Sequence, residues 1–207
     1  MRRDALQIQN LYPGGIASNC YLVSEGTDAV LIDCSAPVAT VKAALAAIGA
    51  TLRGVILTHG HYDHLMTQDE IKEAFGVQVY LHRGDEKFPE TGLYNCYHVF
   101  TGFEASFTPP DRLFEDGEVL EFGTLSVKAI NTPGHTPGCC VLQTGNALFT
   151  GDTLMSCGYG RTTFPGGNTP AMRDSLQRLF SLPQYLFIYP GHGDGCSLGT
   201  ALSNIFR

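Results

Sequence analysis

The sequence carries little positive charge and no clustered basic segment. Its 13 Lys and Arg residues stand against 20 Asp and Glu residues, so the formal net charge is −7 at pH 7. Binding to phosphate backbones requires clustered Lys and Arg side chains. Beyond Arg2 and Arg3 the chain contains no such cluster. A nucleic-acid partner is therefore not expected.

Long apolar runs are also missing. No stretch approaches the roughly 18 apolar residues that a membrane helix requires, and residues 1–10 lack the apolar core of a signal peptide. The seven cysteines form no CxxC pair, and without a secretory signal we expect them to be reduced thiols. Cys157 lies five residues past Asp152 and is the one cysteine for which a place near the site is considered, but the favoured interpretation for it, as for the other six, is a small buried hydrophobic residue. These absences predict a cytoplasmic protein with no membrane association and no obligate protein partner.

The chain does contain enough apolar residues for a substantial core. Hydrophobic residues make up 43% of its 207 residues and charged residues 16%, which is ordinary for a globular domain. No long repeat, low-complexity segment or interdomain linker interrupts it. We therefore expect residues 1–207 to form a single domain.

Two strand-rich halves, each finished by helices, are predicted from hydrophobic periodicity and turn residues. Helices are expected from Pro37 to Ile48, over 68–76, from Pro170 with Thr169 as the N-cap, and over 197–206. This pattern predicts an α+β protein, a four-layer α/β/β/α sandwich with functional loops at one edge of the two sheets. Strands are expected at 6–11, 20–24, 29–33, 54–57, 77–81, 119–122, 125–131, 139–143, 147–149 and 185–189.

The pattern of residues 91–110 fits neither the period of a helix nor that of a strand. Five aromatic side chains stand there among glycines and prolines. An aromatic loop of this length is either functional or packed on the surface. Two interpretations stay open: a hydrophobic plug at the sandwich edge, and a wall of a substrate pocket.

Metal-capable side chains are concentrated just after the apolar strand predicted at 54–57. His59, His61, Asp63 and His64 fall within six residues. Imidazole and carboxylate groups are the usual ligands of zinc and non-haem iron. His59 and His61 point the same way on an extended segment, whereas Asp63 and His64 follow where the chain turns towards a helix. The spacing offers two pairs of ligands that two metal ions can share.

Three further ligand-capable residues stand in glycine-rich turns downstream. They are His135, Asp152 and His192. Seven ligands are too many for one tetrahedral metal and suit two metals with a shared carboxylate and water. His82 and His98 have no companion ligands nearby in the sequence and are expected to be structural.

The series His59-x-His61-x-Asp63-His64, His135, Asp152 and His192 resembles the metallo-β-lactamase superfamily. Within it, the chain is similar to the short, stand-alone glyoxalase II-like (hydroxyacylglutathione hydrolase-like) proteins. The C-terminal helical domain of full-length glyoxalase II, which supplies part of its glutathione site, is not expected in this chain. The likeness covers essentially the whole chain and includes the blocks Asp152-Thr153-Leu154, Gly160-Arg161, Phe164-Pro165-Gly166-Gly167, Leu182-Pro183 and Pro190-Gly191-His192-Gly193.

This resemblance implies a binuclear metal centre. Zinc is the first expectation for the two divalent ions, with iron or manganese as alternatives. A water between the metals, with its pKa lowered to about 7, would supply a hydroxide that attacks a substrate carbonyl, and Asp63 would orient this nucleophile. One metal would be held by His59, His61 and His135, the other by Asp63, His64 and His192, with Asp152 bridging.

Such a site suits a thioester, for example S-lactoylglutathione or another acyl-thiol. The leaving thiolate has a pKa near 8.5, so no strong general acid is needed. Arg161 falls where glutathione-binding members often have a basic residue, and it is either a contact for a substrate carboxylate or a structural arginine. Thr163 stands where an aspartate is usual, and Ala201 near where a glutamate is common. These departures leave the substrate open.

An interpretation from another class also stays open. A mononuclear non-haem iron persulfide dioxygenase would use only His59, His135 and Asp152, as a two-His, one-carboxylate triad. The segments 57–61 and 164–167 look more like the hydrolase branch. A catalytically idle metal binder has no use for seven ligands. Antibiotic hydrolysis is not expected, because zinc β-lactamases depart from the Asp63 and Asp152 pattern.

Overall fold

The computed structural model describes residues 5–12 and 14–206, which contain two six-stranded mixed sheets. The first sheet has the order β1-β2-β3-β4-β5-β6 and the second the order β12-β11-β10-β9-β8-β7. The strands are β1 (Gln7–Asn10), β2 (Tyr21–Glu25), β3 (Asp28–Ile32), β4 (Thr51–Ile56), β5 (Val79–His82), β6 (Arg112–Phe114), β7 (Val119–Phe122), β8 (Leu125–Asn131), β9 (Cys140–Thr144), β10 (Ala147–Gly151), β11 (Phe187–Pro190) and β12 (Cys196–Ser197).

Helices cover the outer faces of both sheets or lie in the loops between strands. A 3₁₀ turn spans Arg83–Asp85. Among the described residues, no helix is both long and apolar enough to cross a bilayer. The helices are α1 (Val38–Ile48), α2 (Tyr62–Leu65), α3 (Gln68–Phe75), α4 (Tyr97–Thr101), α5 (Thr169–Leu179) and α6 (Leu198–Ile205).

Alternation of side chains along the strands produces the layers. In β2, Tyr21 and Val23 pack between the sheets, whereas Leu22 packs with α1 and α3 on the outer face. The second sheet repeats this arrangement: Leu142 of β9 faces the first sheet and Val141 faces α5 and α6. The described residues thus bury an apolar cluster at each junction between layers, and the predicted α+β four-layer α/β/β/α sandwich is confirmed.

The direction of the strands brings distant loops to one edge of this sandwich. β3, β4, β5 and β6 run parallel to one another. In the second sheet β10 and β11 are parallel, and β8 has the same direction because β9 is antiparallel to both of its neighbours. Segments that follow the carboxyl ends of these strands therefore meet at one edge.

Several boundaries differ from the sequence-based prediction. Asn168, and not Thr169, is the N-cap of α5, because its side chain accepts a hydrogen bond from the Ala171 N–H, 3.0 Å away. Pro37 likewise lies at the N-cap position with ψ of 146°, and the helix begins at Val38. The short elements α2, α4, β6 and β12 were not predicted.

Candidate metal centre

The structure brings all seven predicted ligands to the edge where the two sheets meet. His59, His61, Asp63 and His64 follow β4, with Asp63 and His64 on α2. The other three follow strands of the second sheet, His135 after β8, Asp152 after β10 and His192 after β11. Their ligand atoms form groups within 4.8 Å of one another: His59 with His61 and His135; Asp63 with His64 and His192; and His59 with His64 and Asp152.

Asp152 faces both outer groups. Its Oδ1 lies 3.4 Å from His64 Nε2 and 3.7 Å from His192 Nε2. Its Oδ2 lies 3.5 Å from His135 Nε2. Each carboxylate oxygen thus addresses a different set of imidazoles. This is the arrangement that a carboxylate needs in order to bridge two cations.

A buried carboxylate orients His64 from behind. Asp33 Oδ2 lies 2.8 Å from His64 Nδ1, and since a carboxylate only accepts, Nδ1 must carry the proton. Asp33 Oδ1 accepts from the Thr58 N–H at 2.8 Å. His64 Nε2 is therefore turned towards Asp63 and Asp152, at 3.6 and 3.4 Å. A carboxylate behind a histidine in this manner fixes a metal ligand's tautomer and ring orientation.

The tautomer of His135 follows from the same kind of contact. His135 Nδ1 lies 2.6 Å from the carbonyl oxygen of Arg161, to which it must donate, so its Nε2 carries the lone pair. His61 Nδ1 lies 2.8 Å from this Nε2, and His61 Nε2 lies 3.3 Å from Cys96 Sγ. His135 therefore turns its ligand nitrogen towards the predicted metal centre.

Orphaned polar atoms inside the cluster show that a metal fits these residues. Among the described residues, His59 Nε2, His64 Nε2 and Asp152 Oδ1 are buried and have no hydrogen-bond partner. Buried polar atoms rarely remain unpaired, and these belong to one group of potential ligands. Imidazole nitrogen and carboxylate oxygen are the donor set of zinc and non-haem iron. Ligation of particular residues stays a prediction.

Electrostatics holds three of the histidines neutral, the form that binds metals. Burial, followed by the neighbouring imidazoles, lowers the pKa of His59 well below its ordinary value. Burial and His135 lower the pKa of His61 to about 3. The pKa of His135 is also lowered, chiefly by burial.

In the rest of the cluster, neighbours of opposite charge outweigh the effect of burial on the pKa. Burial alone would lower the pKa of His64, but Asp33 and Asp63 raise it well above the usual value. Burial alone would raise the pKa of Asp152, yet the close approach of His64 Nε2, 3.4 Å away, and the surrounding imidazoles hold it low. Asp152 is therefore ionised at neutral pH.

Close backbone approach keeps the ligand loops in place. A side chain at Gly191 would overlap Asp152 Oδ1 and His64 Cε1, and one at Gly160 would overlap the Asp152 carbonyl. Buried Asp85 connects two ligand loops, because it accepts from Gly60 N at 3.0 Å and from Gly138 N at 2.6 Å. Small residues and a shared carboxylate thus set the spacing between the loops.

A cavity of about 400 Å³ lies above the ligands. Five predicted ligands form its floor, and Phe100 and Thr101 of α4 stand in its wall. The segment 91–110 is therefore a wall of the cavity over the metal centre, although Phe103 in the same loop is 72% exposed. The remaining lining residues are Ile16, Tyr62 and Phe164.

Other predicted residues take positions outside the ligand cluster. The Arg161 guanidinium lies over the Phe164 ring, 5.0 Å from its centroid, and Arg161 does not line the cavity. His82 accepts from the Gly84 N–H at 3.0 Å, which agrees with a structural role, and His98 pairs with Glu104. Cys157 is exposed, so the expectation that it is a buried hydrophobic residue is wrong. The side chain of Cys96, and not that of Cys157, contacts a predicted ligand.

Asp33, Asp85 and Cys96 were missed by sequence reasoning. Asp33 carried one signal, an acidic residue directly after the fully buried strand β3. Asp85 and Cys96 stand in a segment without recognisable period, and their partners at the site are 25 and 35 positions away. No local pattern indicates such contacts.

A family model for the metallo-β-lactamase superfamily matches residues 13–192. The chain therefore belongs to the metallo-β-lactamase superfamily, and it combines the fold with a His and Asp cluster suited to metal ions.

Relatives and solved structures agree with this assignment. The probable metallo-hydrolase YqgX of Bacillus subtilis is 28% identical, over 87% of each chain. The BLEG-1 B3 metallo-β-lactamase has a TM-score of 0.88 at 27% identity, covering 95% of this chain and 97% of that one. TTHA1623 in a di-iron-bound form has a TM-score of 0.79 at 33% identity, covering 94% and 96%. ETHE1 from Myxococcus xanthus has a TM-score of 0.78 at 27% identity, covering 93% and 80%.

Proposed function

We propose that this protein is a metal-dependent hydrolase that cleaves a thioester, as the glyoxalase II-like proteins do. The observation that carries the proposal is the position of Asp152, whose two oxygens face different groups of imidazoles. A site that holds two cations in this way is arranged for hydrolysis of a carbonyl compound. We propose that the single sandwich domain is active on its own and that its substrate is a small acyl-thiol.

The proposed ligands are the seven residues that cluster at the sheet edge. When bound, two divalent ions supply a hydroxide nucleophile at neutral pH and polarise a carbonyl oxygen. Zinc is the first candidate, and the likeness to the di-iron-bound form of TTHA1623 supports iron as an alternative. His59, His61 and His135 are proposed for one ion and Asp63, His64 and His192 for the other, with Asp152 shared.

Asp63 is the proposed catalytic carboxylate. It lines the cavity, and its Oδ2 lies 3.1 Å from His192 Nε2 and 3.6 Å from His64 Nε2. The pKa of Asp63 is lowered: burial works against this, but His64 and His192 favour the ionised form. An ionised carboxylate at the cavity floor can accept a hydrogen bond from the attacking water and orient it. The thiolate can leave without a strong acid, because its pKa is near 8.5.

Metal content and hydrolysis together test the proposal. We expect about two zinc, iron or manganese ions per chain on elemental analysis, and hydrolysis of members of a thioester panel that includes S-lactoylglutathione. A β-lactam belongs in the panel because of the likeness to BLEG-1. Metal-loaded protein that cleaves no thioester would refute the proposed activity.

Asp63→Asn should effectively abolish thioester hydrolysis, with kcat/KM lowered by about 10²-fold or more, while the fold stays intact. The fold should survive because Asp63 stands at the rim and not in the apolar clusters. Glu73→Gln, an exposed carboxylate on α3, is the control and should keep full activity. Wild-type turnover by Asp63→Asn, with metal content unchanged, would refute the assigned role.

A persulfide dioxygenase is the second candidate, and the likeness to ETHE1 favours it. It would use His59, His135 and Asp152 with one iron; His135 and Asp152 are 3.5 Å apart. One tightly held iron per chain, with oxygen uptake in the presence of a persulfide, would select this candidate. Asp63→Asn should then be milder than His135→Ala.

The cytoplasm is the proposed compartment. All seven cysteines are free thiols in the described structure, as is usual where glutathione and thioredoxin keep thiols reduced. A fluorescent fusion in the source cell would test it, and secretion of the protein would refute it.

A further inference from the structure

The cavity above the metal centre has two chemically different surfaces. Its floor consists of imidazoles and carboxylates. Its wall consists of Ile16, Tyr62, Phe100, Thr101 and Phe164. Among the described residues, no lysine or arginine lines this cavity. The imidazoles and carboxylates are thus confined to the floor of the cavity.

The wall is held together by aromatic contacts. The ring centroids of Phe100 and Phe164 are 5.5 Å apart, and those of Tyr62 and Phe100 are 5.9 Å apart. The Thr101 hydroxyl donates to the Tyr97 carbonyl at 2.7 Å, so its proton is not available to a ligand. The wall therefore presents ring faces and edges to whatever enters, and little hydrogen bonding.

Apolar side chains are also exposed to solvent at the mouth of the cavity. Phe100 is 58% exposed and Ile16 is 68% exposed, although both line the cavity. Contiguous exposed apolar surface beside a reactive centre marks a ligand-binding site. A ligand that covered these side chains would remove them from water.

From these observations we infer that the site takes thioesters whose acyl group is uncharged and apolar. This inference rests on the proposed thioester hydrolysis. The acyl carbonyl lies at the floor and the acyl chain lies along the wall of Tyr62, Phe100 and Phe164. Water adds to the carbonyl carbon and the carbon–sulfur bond breaks, so that a carboxylic acid and a thiol leave without any change of oxidation state.

The size of the cavity limits the acyl chain. A volume of about 400 Å³, at roughly 30 Å³ for each water-sized group, holds about a dozen non-hydrogen atoms. A chain of about six to eight carbons fits together with the reacting carbonyl.

A glutathione conjugate is a poorer match for this wall. Glutathione carries two carboxylates, which require cationic or N–H partners. The Arg161 guanidinium lies over the Phe164 ring, 5.0 Å from its centroid, but Arg161 is exposed and does not line the cavity. The lining residues therefore offer these carboxylates no lysine or arginine partner.

A substrate series at a constant thiol tests the inference. N-acetylcysteamine thioesters with acetyl, butyryl, hexanoyl and octanoyl groups are compared with S-lactoylglutathione. We expect kcat/KM to rise about fourfold for each added methylene up to about eight carbons. A second series lengthens the thiol at a constant acetyl group and should show no such rise.

Variants of the wall give the structural control. Phe100→Ala should lower kcat/KM for the hexanoyl ester by about tenfold and leave the acetyl ester within about twofold. Phe100→Leu should restore much of the loss. Phe103→Ala is the matched control, because Phe103 lies in the same loop but points to solvent and does not line the cavity.

The outcomes separate this inference from the proposed function. Three results would overturn the inference and leave the proposed thioester hydrolysis standing. In the first, kcat/KM does not change with acyl length; in the second, it increases with thiol length. In the third, S-lactoylglutathione is the fastest substrate and its hydrolysis depends on Arg161. If no thioester is cleaved, the inference is still tested by calorimetry, which compares the affinity for S-hexyl-N-acetylcysteamine with that for its S-methyl analogue. Equal affinities would overturn the apolar site, and tighter hexyl binding lost in Phe100→Ala would support it.

Discussion

Asp33 controls the orientation of a predicted metal ligand without being one. Its φ is +58°, a left-handed conformation that aspartate and asparagine tolerate better than most residues. This conformation turns its carboxylate towards Thr58 and His64. One oxygen takes the Thr58 N–H and the other the His64 Nδ1–H. Both acceptors are needed at the same time.

Asp33→Asn should weaken metal binding on the His64 side. The amide replaces one acceptor by an NH₂ group, which would face either the Thr58 N–H or the His64 Nδ1–H, donor against donor. Loss of such a supporting group costs 10- to about 100-fold in metal affinity. Competition with a chromophoric chelator measures this dissociation constant.

The matched control is Asp28→Asn, which removes another buried carboxylate with two donors but lies away from the ligands. It should leave metal affinity unchanged. If Asp33→Asn also binds metal as tightly as the wild-type chain, Asp33 does not position His64.

At the scale of single residues, the sequence indicated the candidate ligands but not the residues that orient them. The ligands occur as a dense motif and in glycine-rich turns, so their spacing alone indicated chemistry. Asp33 lies 31 positions from His64 and Cys96 lies 35 from His61. Such pairs exist only because separate strands end at the same edge, and one sequence does not show which loops become neighbours.

Among the elements, β3 and the turn between β7 and β8 are joined by one carboxylate. Asp28, at the start of β3, accepts from Arg53 Nε at 2.6 Å and from the Thr124 N–H at 2.9 Å. Arg53 lies on β4 of the first sheet, and Thr124 lies in the turn that joins β7 and β8 of the second sheet. Asp28 therefore links the two sheets at the end of the sandwich remote from the metal centre.

Asp28→Asn should lower the free energy of unfolding by about 1–2 kcal/mol at neutral pH, as expected for hydrogen bonds to a charged group. The hydrogen bond from Arg53, followed by that from Thr124, lowers the pKa of Asp28. A carboxylate whose pKa is depressed by folding stabilises above its unfolded pKa of about 3.9, and this contribution disappears as the pH falls through the folded value.

Urea unfolding midpoints, measured from neutral pH down to about pH 3, check this linkage. The wild-type and Asp28→Asn curves should converge as the pH falls. A constant difference across the whole range would show that the ionised carboxylate is not the stabilising group.

Elements were predictable where they were long enough to show a period. Strands β7 and β8 were predicted with the bounds that the structure gives them, because polar and apolar residues alternate there between clear turns. The elements that were missed have two to five residues each. They are too short for a period, and tertiary contacts determine them.

Over the whole molecule, the apolar clusters and the metal centre are separate. The cluster residues lie between the layers, whereas the predicted ligands occupy loops at the edge. The four-layer architecture follows from the order of strands and helices, and so it was predictable. The exact meeting of the four ligand loops at one edge was not predictable, because it depends on strand direction in both sheets.

Removal of the metal should therefore leave the sandwich folded. Binding at about 100 times the dissociation constant stabilises by about 2.7 kcal/mol, and each kcal/mol corresponds to about 2–4 °C in Tm for a chain of this size. We expect chelation to lower Tm by about 5–10 °C, to preserve the far-UV circular dichroism spectrum and to abolish hydrolysis, with all three restored by zinc. The physical reason is that the layers bury their apolar residues without help from the ligand loops. A chelated protein that loses its sheet signal and its cooperative transition would instead show that the metal is part of the folding energy, as in small zinc domains.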